Sequence, residues 1–215
     1  MGMPRKKLEF THEFPYHIVA RSNNKEWFYL PIDQSWEIFV DLLLKVNIRF
    51  SFQIHSFILM NNHYHLIGTT SENYHLWKVM EWFQRSANRT INDRAGRINH
   101  LFGGPYKASL IRNEDYYFHA TKYLYRNPVE AKTVDRVEDY KYSSLRECRI
   151  PLVTPVTGIA DLLPRDPTEF LNVLNESYPE EAYRAISNGL KKTEFKMPTR
   201  IRKPIAKQLH RTQSQ

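Results

Sequence analysis

The sequence predicts an α+β fold, in which a split β-α-β unit forms an antiparallel sheet with helices packed on one face, followed by a C-terminal helical and basic extension. Three observations support this prediction. Segments with strand-like and helix-like apolar patterns follow one another in the order β-α-β-β-α-β-α. A pair of asparagines separates two strand-like segments, as in a β-hairpin. Beyond about residue 140 the regular pattern ends and prolines become frequent.

The first β-α-β segment begins with Tyr16–Ser22 (YHIVARS), a β-branched run that predicts a strand. Ser35–Val46 follows, with apolar residues at helical spacing, and predicts an amphipathic helix. Alternating apolar residues from Arg49 (RFSFQIH) predict a strand that continues to Met60.

The next strand is predicted at His63–Thr69, because Asn61-Asn62 supplies the two turn residues of a hairpin. A helix is predicted over about Glu72–Asn92, with one apolar face and one basic face. A glycine-containing loop then leads to a strand at Tyr106–Arg112. A third helix is predicted over about Glu114–Arg126.

That third helix is expected to stop at Pro128, because proline lacks the N–H that continues a helix and also restricts Asn127. With these elements the first part of the chain, residues 1–145, is predicted to be a ferredoxin- or RRM-like catalytic domain. Residues 146–190 are predicted to form a connector with short helices from Pro167 and Glu180, and residues 191–215 a basic, flexible tail.

The composition favours a polyanionic partner. The net charge is +8 and the pI about 9.5, and clustered Lys and Arg gain free energy from counterion release on phosphates. A basic surface that only aids solubility is the alternative. Aromatic residues make up 13% of the chain, and this content favours single-stranded nucleic acid, whose bases stack on exposed rings.

The same composition disfavours several other classes of protein. The sequence has 7 glycines, too few for a long glycine-rich nucleotide cradle, and one cysteine, which excludes an intrachain disulfide. It contains no run of 18 apolar residues and no hydrophobic signal core at its start. We therefore expect a cytoplasmic protein that does not enter a membrane.

The segment His63-Tyr64-His65 is the sharpest chemical signal. In a strand, residues two apart project from the same face at about 6.6 Å, and two such imidazoles can share one metal ion. The alternative is a chance His-x-His on a polar sheet face.

The third predicted helix carries Tyr123 and Asn127 four residues apart, and therefore on one face. The tyrosine can attack a phosphorus atom and the asparagine carbonyl can add an oxygen ligand. Phosphate and amide oxygens are hard ligands, so Mg²⁺ or Mn²⁺ is expected rather than a structural Zn²⁺. Ordinary packing of the tyrosine and a simple helix stop are the alternatives. His119, one further turn back on the same face, is expected to pack or to support the site.

Four segments follow one another along the chain in this order: YHIVARSNN, FILMNNHYHLIG, FGGPYKASLI and YLYRNPVEA. In these segments the chain resembles the single-tyrosine (IS200-like) HUH transposase superfamily, and most of all its REP-associated tyrosine transposase-like branch. The resemblance covers about Tyr16 to Ser144. It implies that His63, His65 and Asn127 bind the metal.

The resemblance also implies that Tyr123 is the nucleophile. Tyr125 lies about 200° around the helix from Tyr123 and cannot face the same metal. Two positions depart from the family pattern. Tyr64 occupies the usually hydrophobic position between the histidines, and Pro105 stands where relatives often carry a basic residue.

The resemblance implies metal-dependent nicking and transfer of single-stranded DNA through a 5′-phosphotyrosine, beside hairpin-forming repeats. The expected partner is single-stranded or hairpin DNA, and the chain is expected to be a monomer or homodimer. The candidate DNA contacts are basic residues outside the catalytic set, together with the basic tail: Lys78, Arg85, Arg89, Lys107 and Arg112. Two rival functions stay open, namely a non-catalytic binding module and a metallohydrolase that uses an activated water.

Overall fold

The computed structural model describes residues 7–153, 163–199 and 201. Their helices and strands occur in the predicted order. They are β1 (Tyr16–Arg21), α1 (Ile32–Phe50), β2 (Gln53–Met60), β3 (His63–Thr69), α2 (Leu76–Ala95), β4 (Lys107–Leu110), α3 (Glu114–Glu130), α4 (Pro167–Asn175) and α5 (Glu180–Gly189). None of the helices in this described part is long and apolar enough to cross a membrane.

The strands form one antiparallel sheet in the order β2-β3-β1-β4. The hairpin between β2 and β3 turns at Asn61-Asn62, as predicted. The central strands β3 and β1 are therefore neighbours in space although α1 and β2 separate them along the chain. The α+β class and the antiparallel sheet are confirmed.

One face of the sheet packs against α1 and α2 through an aromatic core. Tyr64 lies at its centre, with its ring centroid 5.6 Å from those of both Phe39 and Phe83 and 6.0 Å from that of Phe57. Because successive strand residues alternate faces, the core position of Tyr64 turns His63 and His65 to the opposite face. The aromatic residue between the two histidines is thus explained by packing.

The opposite face carries a second helical layer that adds to the prediction, which placed helices on one face only. Apolar residues of β2 and β3, among them Ile58 and Ile67, pack there against α3, and α4 and α5 pack in turn against α3. The two histidines and the third helix therefore lie on the same side of the sheet.

The boundary between α1 and β2 differs from the prediction. The helix extends to Phe50, Ser51 adopts a left-handed conformation (φ 50°, ψ 36°), and the strand begins only at Gln53. Phe50 and Phe52 are both buried, so their spacing imitates strand alternation although Phe50 completes a helical face. The predicted strand start at Arg49 was wrong.

Helix α3 passes through Pro128 and ends at Glu130, so the predicted stop was also wrong. A proline in a helix leaves the carbonyl four residues earlier without its donor. Here the side-chain amide of Asn127 donates to the carbonyl oxygens of Leu124 at 3.2 Å and Tyr123 at 2.8 Å. Asn127 thus replaces the donor that Pro128 lacks.

The chain after α5 packs along β4, which is shorter than predicted. The Leu110 N–H donates to the Thr193 carbonyl at 3.0 Å, the Phe195 N–H donates to the Leu110 carbonyl at 2.8 Å, and the side chains of Phe195 and Met197 are buried. The first residues of the predicted basic tail are therefore part of the fold. Residues 202–215 lie outside the described part, and the division of the chain into domains stays a prediction.

Candidate active site

A cavity of about 710 Å³ opens on the histidine-bearing face of the sheet, between β1, β3, α3 and α5. It brings together five of the predicted site residues and several that sequence reasoning missed. The polar and charged residues that line it include His17, Arg21, Asn23, Lys25, His63, His65, Lys107, Tyr123, Asn127, Ser187 and Lys191.

The antiparallel register of β1 and β3 places the imidazoles. Val19 lies opposite His65 and Arg21 opposite His63, so alternate residues of both strands share this face. The ring centroids of His63 and His65 are 5.1 Å apart. The spacing of two in the sequence thus produces the paired imidazoles that it predicted.

The orientation of His63 is held by Asn62. The Asn62 side-chain amide donates to the carbonyl of Lys25 at 2.8 Å, which turns its oxygen, Oδ1, towards Nδ1 of His63 at 2.7 Å. Because a carbonyl oxygen only accepts, Nδ1 of His63 must carry the proton. Nε2 of His63 is therefore the nitrogen with a free lone pair.

His65 has a different partner, since its Nδ1 lies 2.9 Å from Nε2 of His17 and the two rings stack with centroids 5.1 Å apart. Burial lowers the pKa of His63 to about 4 and that of His17 to about 3. Burial also lowers the pKa of His65 well below its usual value. All three rings are therefore neutral at pH 7, the state in which an imidazole can bind a metal.

Tyr123 projects from α3 over the histidines. Its half-buried ring meets those of His65 and His17 edge-on, with centroids 5.9 and 6.3 Å away. Helix α5 contacts it from the other side, where the Tyr183 ring centroid lies at 5.4 Å and Oγ of Ser187 is 3.3 Å from the Tyr123 hydroxyl. The Tyr123 ring thus lies beside the imidazole pair, and its hydroxyl contacts Ser187, which also lines the cavity.

Asn127 lies one turn after Tyr123 and lines the same cavity. Its amide nitrogen is engaged with the helix backbone, which leaves its oxygen as the atom available to a cation. Two neutral imidazoles and one amide oxygen fit a divalent cation that also takes phosphate oxygens as ligands. In the described residues no group of three or more His, Cys, Asp or Glu could hold a metal, so a cation here would need the amide.

Tyr125 is directed away from the cavity, as the helical phase predicted. Its side chain is buried, and its hydroxyl lies 2.9 Å from Oγ of Ser144. Burial raises the pKa of Tyr125 to about 12. The structure therefore places one tyrosine of this pair at the cavity and the other in the core.

The predicted basic contacts are dispersed. Lys107 lines the cavity, and Arg85 lines an adjoining groove of about 690 Å³ that shares Asn23 and the Gly103–Pro105 loop with it. The other two predicted contacts on α2 lie on the exposed side of that helix, Arg89 within 3.7 Å of Asp93 and Lys78 over the Trp77 ring.

Arg112 is not brought to the site. Its guanidinium pairs with Glu9, lies 4.0 Å from Glu194 and covers the Phe14 ring. Lys191, the first residue of the predicted basic tail, does line the cavity, and so does Arg21, which sequence reasoning missed. Arg21 has a local signal, because alternation along β1 places it on the face of His17, but choosing that face requires the register with β3.

Comparison with known proteins bears on the fold and the family of this chain. No curated protein matches the chain significantly. The structure of a REP-associated tyrosine transposase bound to a REP hairpin is similar, with a TM-score of 0.56 and 20% identity over 71% of this chain and 89% of that chain. A protein from Deinococcus radiodurans, described as a candidate transposase, has a TM-score of 0.37 and 11% identity over 50% of this chain and 84% of that chain.

This chain thus has the fold of the REP-associated tyrosine transposase, and at 20% identity the similarity extends to the fold alone. The family profile described as "Transposase IS200 like" matches residues 10–127, which is more than half of the chain and includes every predicted catalytic and metal-binding residue. The protein belongs to the IS200-like transposase family.

Proposed function

We propose that this protein nicks single-stranded DNA and transfers the strand through a covalent bond to Tyr123, with Mg²⁺ or Mn²⁺ as cofactor. The observation that carries the proposal is the placement of the Tyr123 hydroxyl in one cavity with the paired imidazoles of His63 and His65 and with Asn127. Each of these residues comes from the same chain, so a monomer has the complete set.

The proposed cation would be held by Nε2 of His63, Nε2 of His65 and Oδ1 of Asn127. When bound, it supplies Lewis-acid activation of the scissile phosphate and neutralises its developing charge. The buried, neutral state of both imidazoles supports this role, because protonated rings have no lone pair to donate.

Tyr123 would carry out the covalent step. Its hydroxyl oxygen forms a bond to phosphorus, the bond from phosphorus to the 3′-oxygen breaks, and the hydroxyl proton is lost while the leaving oxygen gains a proton. The products are a 5′-phosphotyrosine and a free 3′-hydroxyl. Because the phosphodiester is conserved, a second 3′-hydroxyl can reverse the step without a nucleotide cofactor.

The surroundings of Tyr123 support a single strand as substrate. Arg21, Lys107 and Lys191 place positive charge around the cavity, and the adjoining groove continues past the Gly103–Pro105 loop to Arg85. A related fold is known bound to a REP hairpin. We therefore infer that the strand enters beside a hairpin-forming repeat.

An adduct assay tests the proposal. The full chain is incubated with labelled single-stranded hairpin oligonucleotides and Mn²⁺, with or without chelator, and products are resolved under denaturing conditions. We expect a denaturation-resistant adduct that chelator and Tyr123→Phe abolish, while Tyr123→Phe retains DNA affinity in filter binding.

Two outcomes contradict the proposal. If wild type binds the hairpins but forms no adduct on any of them, the chain is a binding module. If it cleaves without an adduct and tolerates Tyr123→Phe, it is a hydrolase that uses an activated water.

A further inference from the structure

The contact between His17 and His65 is not explained by packing alone. His17 is 2% exposed, its Nε2 lies 2.9 Å from Nδ1 of His65, and its own Nδ1 has no hydrogen-bond partner in the described part of the chain. An unpaired buried polar atom is costly, and an apolar residue of the same shape would avoid it. His17 differs from other buried histidines in that its hydrogen-bond partner is His65, a proposed metal ligand, and this contact indicates a role in the site.

The short distance between the two nitrogens requires one proton between them. Either His65 donates through Nδ1–H to Nε2 of His17, or His17 donates through Nε2–H to Nδ1 of His65. A neutral imidazole carries only one proton. In the first arrangement Nε2 of His65 has a free lone pair, whereas in the second it is protonated and cannot bind a cation.

The other imidazole of the pair shows the same design. The Asn62 oxygen accepts from Nδ1–H of His63 and leaves its Nε2 free. His17 can do the same for His65 from a different strand, since β1 pairs with β3 and His17 lies diagonally across from His65. Each imidazole would then have its own acceptor behind it.

We propose that His17 is a positioning residue for the metal site: its Nε2 accepts the Nδ1–H of His65 and so holds His65 in the tautomer and ring orientation that present Nε2 to the cation. The inference rests on the proposed function, because it assumes a cation at His63 and His65. It assigns no contact between His17 and DNA or cation.

The tautomer can be observed without any metal. Long-range ¹H–¹⁵N spectra of the full chain labelled with ¹⁵N-histidine distinguish protonated from unprotonated ring nitrogens. We expect His65 with a protonated Nδ1 and an unprotonated Nε2, assigned by its loss in His65→Gln. A protonated Nε2 on His65 would overturn the inference, whatever the protein does to DNA.

Mn²⁺ affinity gives the second test, followed by electron paramagnetic resonance of free Mn²⁺ during titration. His17→Phe keeps a stacking ring but has no acceptor, and we expect it to weaken binding about 10- to 100-fold. His17→Gln can place an amide oxygen near the position of Nε2, and we expect it to restore affinity to within about 3-fold of wild type.

His119→Phe is the matched control. His119 is also fully buried, with Nδ1 bonded to the Tyr178 hydroxyl at 2.7 Å and Nε2 without a partner in the described residues, but it does not line the cavity. We expect it to bind Mn²⁺ like wild type. Thermal melts of all variants exclude loss of the fold as the cause of a change in affinity.

The outcomes separate this inference from the proposed function. If wild-type Mn²⁺ affinity does not depend on His63, tested by His63→Ala, the proposed metal site is wrong and the role of His17 with it. If affinity depends on His63 but His17→Phe binds as tightly as wild type, the metal site stands and the role of His17 is wrong.

Discussion

Replacing each tyrosine near the end of α3 by phenylalanine is expected to separate the chemistry of the chain from its stability. Tyr125→Phe removes a hydroxyl that is buried in the core, whereas Tyr123→Phe removes one that lies at the cavity. The two substitutions delete the same atom from the same helix, two residues apart. Each is therefore a matched control for the other.

The size of the Tyr125 effect follows from its contacts. The hydroxyl lies 2.9 Å from Oγ of Ser144, which also accepts the Phe57 N–H at 2.9 Å. Losing this buried hydrogen bond, while the Ser144 hydroxyl keeps the Phe57 N–H as its remaining partner, costs about 1–2 kcal/mol. For a chain of this length each kcal/mol corresponds to about 2–4 °C, so we expect the melting temperature to fall by about 2–8 °C.

Tyr123→Phe has a smaller expected effect on stability. The hydroxyl lies 3.3 Å from Oγ of Ser187, a long contact, and its side chain is only half-buried. We expect a loss below about 1 kcal/mol. Activity should show the reverse order, because Tyr123 is the proposed nucleophile and Tyr125 is buried in the core.

Melting by circular dichroism and adduct formation at a temperature well below both transitions measure the two effects. The expected pattern is an unstable but active Tyr125→Phe and a stable but inactive Tyr123→Phe. Equal adduct formation by Tyr123→Phe and wild type would refute the assignment of the nucleophile. A fully stable Tyr125→Phe would refute the described core contact.

Three further predictions concern the surroundings of the site. Lys107→Gln is expected to weaken single-strand binding and to reduce the slope of log affinity against log salt concentration by about one. Arg112→Gln should leave that slope unchanged, because two carboxylates hold the guanidinium. Equal slopes for wild type and both variants would contradict this prediction. Gly68→Ala should lower the urea midpoint strongly, because an added Cβ would lie 2.5 Å from the Phe52 ring and from the Gln53 carbonyl oxygen. A variant with the urea midpoint of wild type would contradict this packing. Burial lowers the pKa of His55 to about 4, below its value near 6.5 in the unfolded chain. The unfolded chain therefore takes up a proton first, and the free energy of unfolding should fall as the pH drops from 6.5 to 4. A urea midpoint that does not change over this pH range would contradict the prediction.

The central chemical residues were predictable because their relations are local. The two histidines are two apart in a strand, and Tyr123 and Asn127 are four apart in a helix, so each pair shares a face whatever the remaining fold. The same periodicity correctly turned Tyr125 away from the face of Tyr123, and the structure adds that it is buried in the core. These predictions needed only the type of secondary structure.

The partners of those residues were not predictable in the same way. His17 meets His65 only through the register of β1 and β3, two strands far apart along the chain. Ser187 and Tyr183 reach Tyr123 because α5 packs on α3, and nothing in the local pattern of α5 indicates that contact. Long-range packing decides both.

The predicted end of α3 was wrong for a different reason. A proline usually stops a helix, but Asn127 supplies the missing donor with its own side chain. The same hydrogen bonds fix which end of the amide faces the cavity. Asn127, whose side chain replaces the missing backbone donor of α3, is thus also the proposed third metal ligand.

The most direct test of the central claim is to locate the covalent bond. Wild-type protein is reacted with Mn²⁺ and a single-stranded hairpin oligonucleotide, the adduct is trimmed with nuclease and trypsin, and the modified peptide is sequenced by mass spectrometry. We predict a nucleotide joined to Tyr123 through its 5′-phosphate, and a released upstream fragment that ends in a 3′-hydroxyl. Attachment to Tyr125, linkage through a 3′-phosphate, or cleavage without a modified peptide would contradict the account.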